Sequence, residues 1–189
     1  MIIEIIILSA ISMLIIFLRT GKFDISNIAI DIKGYKLFII MAVIQITAVF
    51  LFKIYNNNEI FKILSMNWLI YPVLLYVTLI NFKKNYMKLF FIGTLLNFIA
   101  IAFNDFKMPV FIAETYANSQ NTILFLKSNQ DLIHSIATDS TRFKILCDII
   151  TLPPPYPFAK TISIGDIFLL SGIFIFWQYA LKSDSQNTN

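Results

Sequence analysis

Two aspartates offer this sequence its clearest chemistry. Asp148 lies in the apolar run Leu146-Cys147-Asp148-Ile149-Ile150, and Asp166 lies eighteen positions on, at the threshold of the hydrophobic segment 164–181. The run Pro153-Pro154-Pro155-Tyr156-Pro157 makes a stiff, extended connector between them. Two carboxylates at a membrane surface can share one proton, so that one acts as base towards a water and the other as acid. On that reading Asp148 and Asp166 are the catalytic pair of an intramembrane aspartic hydrolase. A plainer reading stands beside it. Ser163-Ile164-Gly165-Asp166 has the S-x-x-D form of a helix-capping box, and an acid in the first turn favours the helix dipole. Asp148, four positions after Lys144, suits an i,i+4 ion pair on a solvated helix face.

The other residues able to meet a ligand are Asn104, Met108, Pro109, His134 and Ser163, all in or beside the stretch that precedes the last hydrophobic segment. His134 is the only histidine, so no multi-histidine metal site exists within one copy of the chain; a proton shuttle, a pH-sensitive bond or a structural bond remain open to it. Cys147 is the only cysteine, which excludes an internal disulfide and leaves it the role of a small buried hydrophobe. Phosphate-binding glycine loops, dinucleotide fingerprints and Ser-His-Asp signatures are absent from the sequence, and no metal or cofactor is expected. Asn97, Thr94, Gln45, Thr47 and Gln178 fall inside or near the ends of hydrophobic runs, where such groups either line a polar cavity or bond between helices.

These residues must be positioned by elements that the composition assigns to lipid. Of 189 residues 58% are hydrophobic and only 14% charged, against about 45–50% apolar and about 25% charged in soluble domains. Mean hydropathy is +0.74. The net charge of +4 is a modest loop excess, so the expected partner is the lipid bilayer and no nucleic acid. Uncharged runs predict five spans, at about 2–18, 37–55, 63–82, 87–104 and 164–181. Pro72 is expected to kink the third. The N-terminal run has Glu4 where a cleavable signal would be basic, so it reads as a retained span, and Glu4 near the interface needs no partner. With the N-terminus outside, eight basic residues near span ends fall inside (Arg19, Lys22, Lys33, Lys36, Lys83, Lys84, Lys88, Lys182) and four outside (Lys53, Lys62, Lys107, Lys160). The orientation is therefore N-out and C-in, with the long loop outside.

The inner loop 20–36 carries apolar residues among charges and suits an amphipathic interfacial segment of structural role. The outer stretch 105–162 is too apolar for a floppy linker. Helical spacing of Leu132, Ile133, Ile136 and Ala137 predicts one helix over 119–138. A second is predicted from Asp139 or Ser140 to Thr151, with Phe143, Ile145, Leu146, Ile149 and Ile150 on its buried face. The tail 183–189 reads as disordered.

The run Asn104-x-x-Lys107-Met108-Pro109-Val110, then His134, then Thr141-Arg142-x-x-x-Leu146-x-Asp148-Ile149-Ile150, then the prolines and Ser163-Ile164-Gly165-Asp166, resembles a family of uncharacterised bacterial integral membrane proteins. That resemblance covers nearly the whole chain and implies no activity. Such proteins look glycine-rich where this chain has Asp105-Phe106, which implies a different turn here. The placing of Asp148 and Asp166 also resembles lipoprotein signal peptidase, but that enzyme's Gly-Asn-x-x-Asp-Arg pattern is missing, and Ser163-Ile164-Gly165 replaces its Asn-x-Ala. The sequence thus predicts an all-α polytopic protein of the bacterial cytoplasmic membrane, five transmembrane helices under an ordered extracytoplasmic helical cap. A non-catalytic role, with the cap binding a small ligand, lipid or partner, is the leading function; the aspartic hydrolase is the alternative.

Overall fold

A computed structural model of the chain describes residues 2–21, 31–55, 60, 63, 67–112, 123–126, 131–152 and 160–182. The protein is mostly helical. Helices α1 (Ile2–Thr20), α2 (Tyr35–Ile54), α3 (Ile70–Ile80), α4 (Asn85–Ala102) and α5 (Ile164–Lys182) follow in chain order. Of these, α1, α2, α4 and α5 are long and apolar enough to cross a membrane. At about 1.5 Å per residue, their 18 to 20 residues reach about 27–30 Å, the thickness of the hydrocarbon layer.

Among the described residues, the run expected to be the third span holds a shorter apolar helix. A 3-10 turn at Asn67–Leu69 leads into α3, which has 11 residues. Pro72 falls in its first turn, where the missing N–H has no helical acceptor to lose. The tight turn 81–84 reverses the chain into α4, and Tyr71 stacks near Phe98 while Phe82 meets Phe91 edge-on. Gly34, at the start of α2, lies against Ile80 and Val77 near the end of α3. Asn81 locks that corner through bonds to the backbone of Lys33, 3.0 Å to its N–H and 2.8 Å to its carbonyl.

The tightest packing is between α4 and α5, which run antiparallel: Tyr86 meets Phe176 and Tyr179, and Phe90 lies under Gly172. Gly93 and Gly165 mark the closest approach. A methyl group on Gly93 would lie 2.6 Å from the Gly165 carbonyl oxygen, and one on Gly165 would lie 2.7 Å from the Gly93 carbonyl oxygen and collide with Asn97. Small residues of this kind let backbones meet closely where lipid supplies no hydrophobic drive for association. Helix α1 packs on the other side of α5, held by Trp177 to Ser9 at 2.8 Å, Ser12 to the Phe174 carbonyl at 3.0 Å and Gln178 to the Ser12 hydroxyl at 3.0 Å. Glu4 is buried here and pairs with Lys160 at 2.8 Å, so the acid expected to stand alone has a partner.

The stretch between α4 and α5 departs from the helical cap expected for it. Its described residues form short strands, β1 (Met108–Val110) parallel to β2 (His134–Ile136), and β3 (Ile150–Leu152) antiparallel to β4 (Lys160–Ile162), with a single 3-10 turn at Lys144–Leu146. Residues 123–126 are helical, but the helix expected over 119–138 does not extend through 131–136. The Asp131 carboxylate accepts the N–H groups of Ile133 at 2.7 Å and His134 at 3.0 Å, a local turn that competes with helix. The helix expected over 140–151 is displaced in the same way. Asn104 takes the Arg142 N–H at 2.9 Å and its carbonyl at 3.0 Å, and Phe143 adopts left-handed backbone. Lys144 accordingly lies 3.9 Å from Asp139 and does not pair with Asp148. Asp105 and Phe106 have φ of 54° and 57°, the left-handed region that favours glycine, so the turn keeps a glycine-like conformation without the glycines.

The proline run 153–157, Tyr156 and Phe158, residues 119–122 and 127–130 of the expected 119–138 helix, the loop residues 22–30, residues 61–62 and 64–66 and the tail 183–189 lie outside the described residues. Replacing Gly165 with Ala is expected to lower the thermal unfolding midpoint in detergent micelles by several degrees or more. Ser171→Ala, on an exposed position of the same helix, is expected to leave it unchanged; equal midpoints for both variants would refute the close-approach account.

Candidate functional site

The start of α5 is fixed by a closed set of hydrogen bonds. The Ser163 hydroxyl accepts the Asp166 N–H at 2.9 Å, and Asp166 Oδ2 accepts the Ser163 N–H at 3.3 Å, which is the reciprocal capping box that the S-x-x-D pattern predicts. Asn97 reaches across from α4 to complete it. Its Nδ2 donates to Asp166 Oδ1 at 2.9 Å, and its Oδ1 accepts from the Ser163 hydroxyl at 2.8 Å. Asn97 thus makes the interhelical bonds open to a mid-span amide, and only the glycine contact brings it near enough. Each Asp166 oxygen already accepts one bond.

Asp148 is held by its backbone. Its N–H donates to the Pro109 carbonyl at 3.0 Å and its own carbonyl accepts from Phe111 at 2.9 Å, so it sits beside β1 on the side away from β2. That pairing turns the side chain inwards, where the residue is only 7% exposed. Its Oδ1 is buried and has no hydrogen-bond partner among the described residues. Burial, and after it the charge of Asp166, push the carboxyl from its ordinary value up to about 7, while Lys160 acts in the opposite direction.

Asp148 and Asp166 line one cavity of about 200 Å³. Trp68, Tyr71 and Phe106 form its aromatic wall, with Trp68 and Phe106 4.8 Å apart between ring centres. His134 and Asn97 complete its polar side, and Ile101, Met108, Ile133 and Leu169 the rest. His134 bonds through Nδ1 to Asp131 at 3.1 Å. Burial works against the charge on Asp131, but the Ile133 and His134 N–H groups and the His134 ring outweigh it and hold that carboxyl below its ordinary value. A carboxylate at Nδ1 places the ring proton there and leaves Nε2 as the free ring nitrogen.

The residues singled out in the sequence therefore divide. Asp148, Asp166, Met108 and His134 line the cavity, and Ser163 stands behind Asp166 in the cap. Asn104 and Pro109 border a separate, open depression of about 800 Å³ with Asp105 and Arg142. There Asn104 is engaged with the Ala100 and Arg142 backbones, a structural task. Cys147 is fully buried, with its thiol pushed up to about 11 by burial and then by Asp148, which keeps it a protonated hydrophobe. Trp68, Tyr71 and Phe106 escaped sequence reasoning, because an aromatic residue near a span end reads equally well as an interfacial anchor. Among the described residues, no group of three or more His, Cys, Asp or Glu side chains is arranged to hold a metal ion.

The Asp148 carboxyl predicts a pH dependence of definite sign. Its folded value of about 7 lies above the ordinary value of 3.8, so between them the folded chain holds the proton that the unfolded chain has lost. Stability from this group is therefore fully present below about 3.8, falls as pH rises above that, and is gone above about 7. Asp148→Asn is expected to match the parent at pH 4 and to be the more stable at pH 8, by at most roughly 4 kcal/mol. Thermal unfolding in micelles at the two pH values checks this, and a parent at least as stable as the variant at pH 8 would contradict it.

Residues 29–178 match the model of a family of unknown function, DUF5317, and the chain belongs to that family. Over 90 residues, 48% of this chain, it is 32% identical to an uncharacterised protein of Thermotoga maritima. The match covers 49% of that protein, so the chain spans about half the length of the curated relative it matches. No solved structure matches.

Proposed function

We propose that this chain is a five-span integral membrane protein of the bacterial cytoplasmic membrane, N-terminus outside and C-terminus inside, whose cavity beneath the outer stretch 105–162 binds a small ligand without transforming it. The observation that carries the binding reading is the Asp148 carboxylate oxygen, buried beside the cavity with no partner among the described residues. A polar atom left so is costly unless something meets it, and an occupant is the natural donor. The non-catalytic reading draws on Asp166, whose two oxygens are already engaged in fixing the start of α5. The aspartic hydrolase has no comparable support, since capping explains Ser163 and Asp166 without a substrate.

The span count is supported by direction. α4 runs antiparallel to α5 and to α3, and the Gly34–Ile80 and Lys33–Asn81 contacts join the start of α2 to the end of α3. The Glu4–Lys160 pair brings the start of α1 to the level at which α5 begins. Helices that alternate in this way reach the cap on one side only if α3 also crosses. The eight-to-four bias of basic residues favours the N-out orientation.

Two measurements test the reading. A membrane-impermeant thiol reagent applied from outside is expected to reach a cysteine at Ser140 and to miss one at Asn85; the reverse pattern would overturn the orientation. For the cavity, Met108→Cys is expected to react with neutral methyl methanethiosulfonate in micelles at least about tenfold faster than Ala100→Cys, because both positions are buried in one core cluster and Met108 lines the cavity while Ala100 does not. Equal inertness of the two thiols would remove the ligand-binding reading.

A further inference from the structure

We infer that the cavity's ligand is a small organic ammonium group, seated between the Asp148 and Asp166 carboxylates and the aromatic wall of Trp68, Tyr71 and Phe106. The inference rests on the binding reading above and adds the chemical class of the occupant. The available hydrogen-bonding atoms point one way. Asp148 Oδ1 is a buried acceptor with no donor among the described residues, Asp166 adds a second carboxylate whose oxygens each accept one bond and keep a further lone pair, and His134, with its Nδ1 proton bound to Asp131, offers only an acceptor at Nε2 while it is neutral. An anion would face two acids here. A metal ion would lack the ligand set it needs, because Asp148, Asp166 and His134, although they line the same cavity, do not form a group arranged to hold one. An ammonium group satisfies both halves of the wall, donating N–H to the carboxylates and lying against aromatic faces, whose quadrupole attracts cations.

The size agrees. At about 200 Å³ the cavity falls below the roughly 300–1,000 Å³ of sites for drug-sized molecules, so the occupant has few non-hydrogen atoms. A free alkylamine and the ethanolamine headgroup of a phospholipid both present this group, and the site lies at the end of the spans where either can reach it. The charged and titratable groups around Asp148 are Asp166, Lys160, the N-terminal amine, His134, Tyr71 and Cys147. Lys160 is already paired with Glu4, which leaves the acids in excess beside the cavity. Binding is expected to strengthen as pH rises through about 7, where Asp148 loses its proton.

The test uses the full chain carrying Met108→Cys, with Cys147 as a slow blank because it is buried and its thiol is pushed up to about 11. At pH 8, saturating propylammonium is expected to slow modification by methyl methanethiosulfonate about tenfold or more, while propanol at the same concentration has little effect. Protection is expected to weaken at pH 6, to vanish in Asp148→Asn and to fall severalfold in Trp68→Leu. Equal protection by propanol, no protection by propylammonium, or protection that survives Asp148→Asn unchanged would each overturn the ammonium assignment. A thiol at 108 that reacts freely in those cases keeps the cavity reading intact, and one that never reacts removes that reading as well. The source is separated in nanodiscs without added amine. Slower modification in phosphatidylethanolamine than in phosphatidylglycerol bilayers assigns the site to a lipid headgroup, and equal rates together with protection by propylammonium assign it to a free amine.

Discussion

The cavity end of this protein depends on one contact, the meeting of Gly93 and Gly165 that lets Asn97 bond across two helices. An amide in apolar surroundings costs several kcal/mol unless it is bonded, and Asn97 is only 4% exposed. Its two side-chain atoms are satisfied by Ser163 and Asp166 and by nothing weaker. That bonding is possible because neither glycine carries a side chain to hold the backbones apart. It sets where α5 begins, brings Asp166 to the cavity and anchors β4 immediately before it.

Above this contact, β1 acts as a hub. The Met108 N–H takes the Ile133 carbonyl at 2.8 Å, the Ala137 N–H takes that of Val110 at 3.0 Å, and Asp148 joins from the other side. These pairings link segments distant in sequence and satisfy backbone groups that would otherwise be buried unpaired. They also explain why a conspicuous acid lies indoors. Asp148 is placed by its own peptide groups, so its carboxylate is carried into the cavity whether or not a donor waits there. The helix–helix seam of Ser9, Ser12, Trp177 and Gln178 lies farther along α5 and supports the site only indirectly, by fixing α1 against that helix.

The sequence by itself determined the features that local composition and spacing dictate. Uncharged runs gave the helices α1, α2, α4 and α5 within a few residues, because a run long and apolar enough to cross a membrane stands out in composition alone. The S-x-x-D pattern gave the cap at Ser163 and Asp166, since its partners are three residues apart. The same local logic misled it over 131–151. There apolar spacing at helical period met strands, because Asp131 and Asn104 capture backbone groups that a helix would need. It also left Glu4 without Lys160, 156 positions away, and gave Lys144 the wrong acid. Tertiary structure alone decided which residues share the cavity. Asp148 and His134 reach it through pairing with β1, Asp166 through the glycine contact, and Trp68, Tyr71 and Phe106 from α3 and the turns beside α3 and α4. No spacing along the chain encodes that convergence, because it depends on long-range backbone pairing and on helices meeting at their glycines.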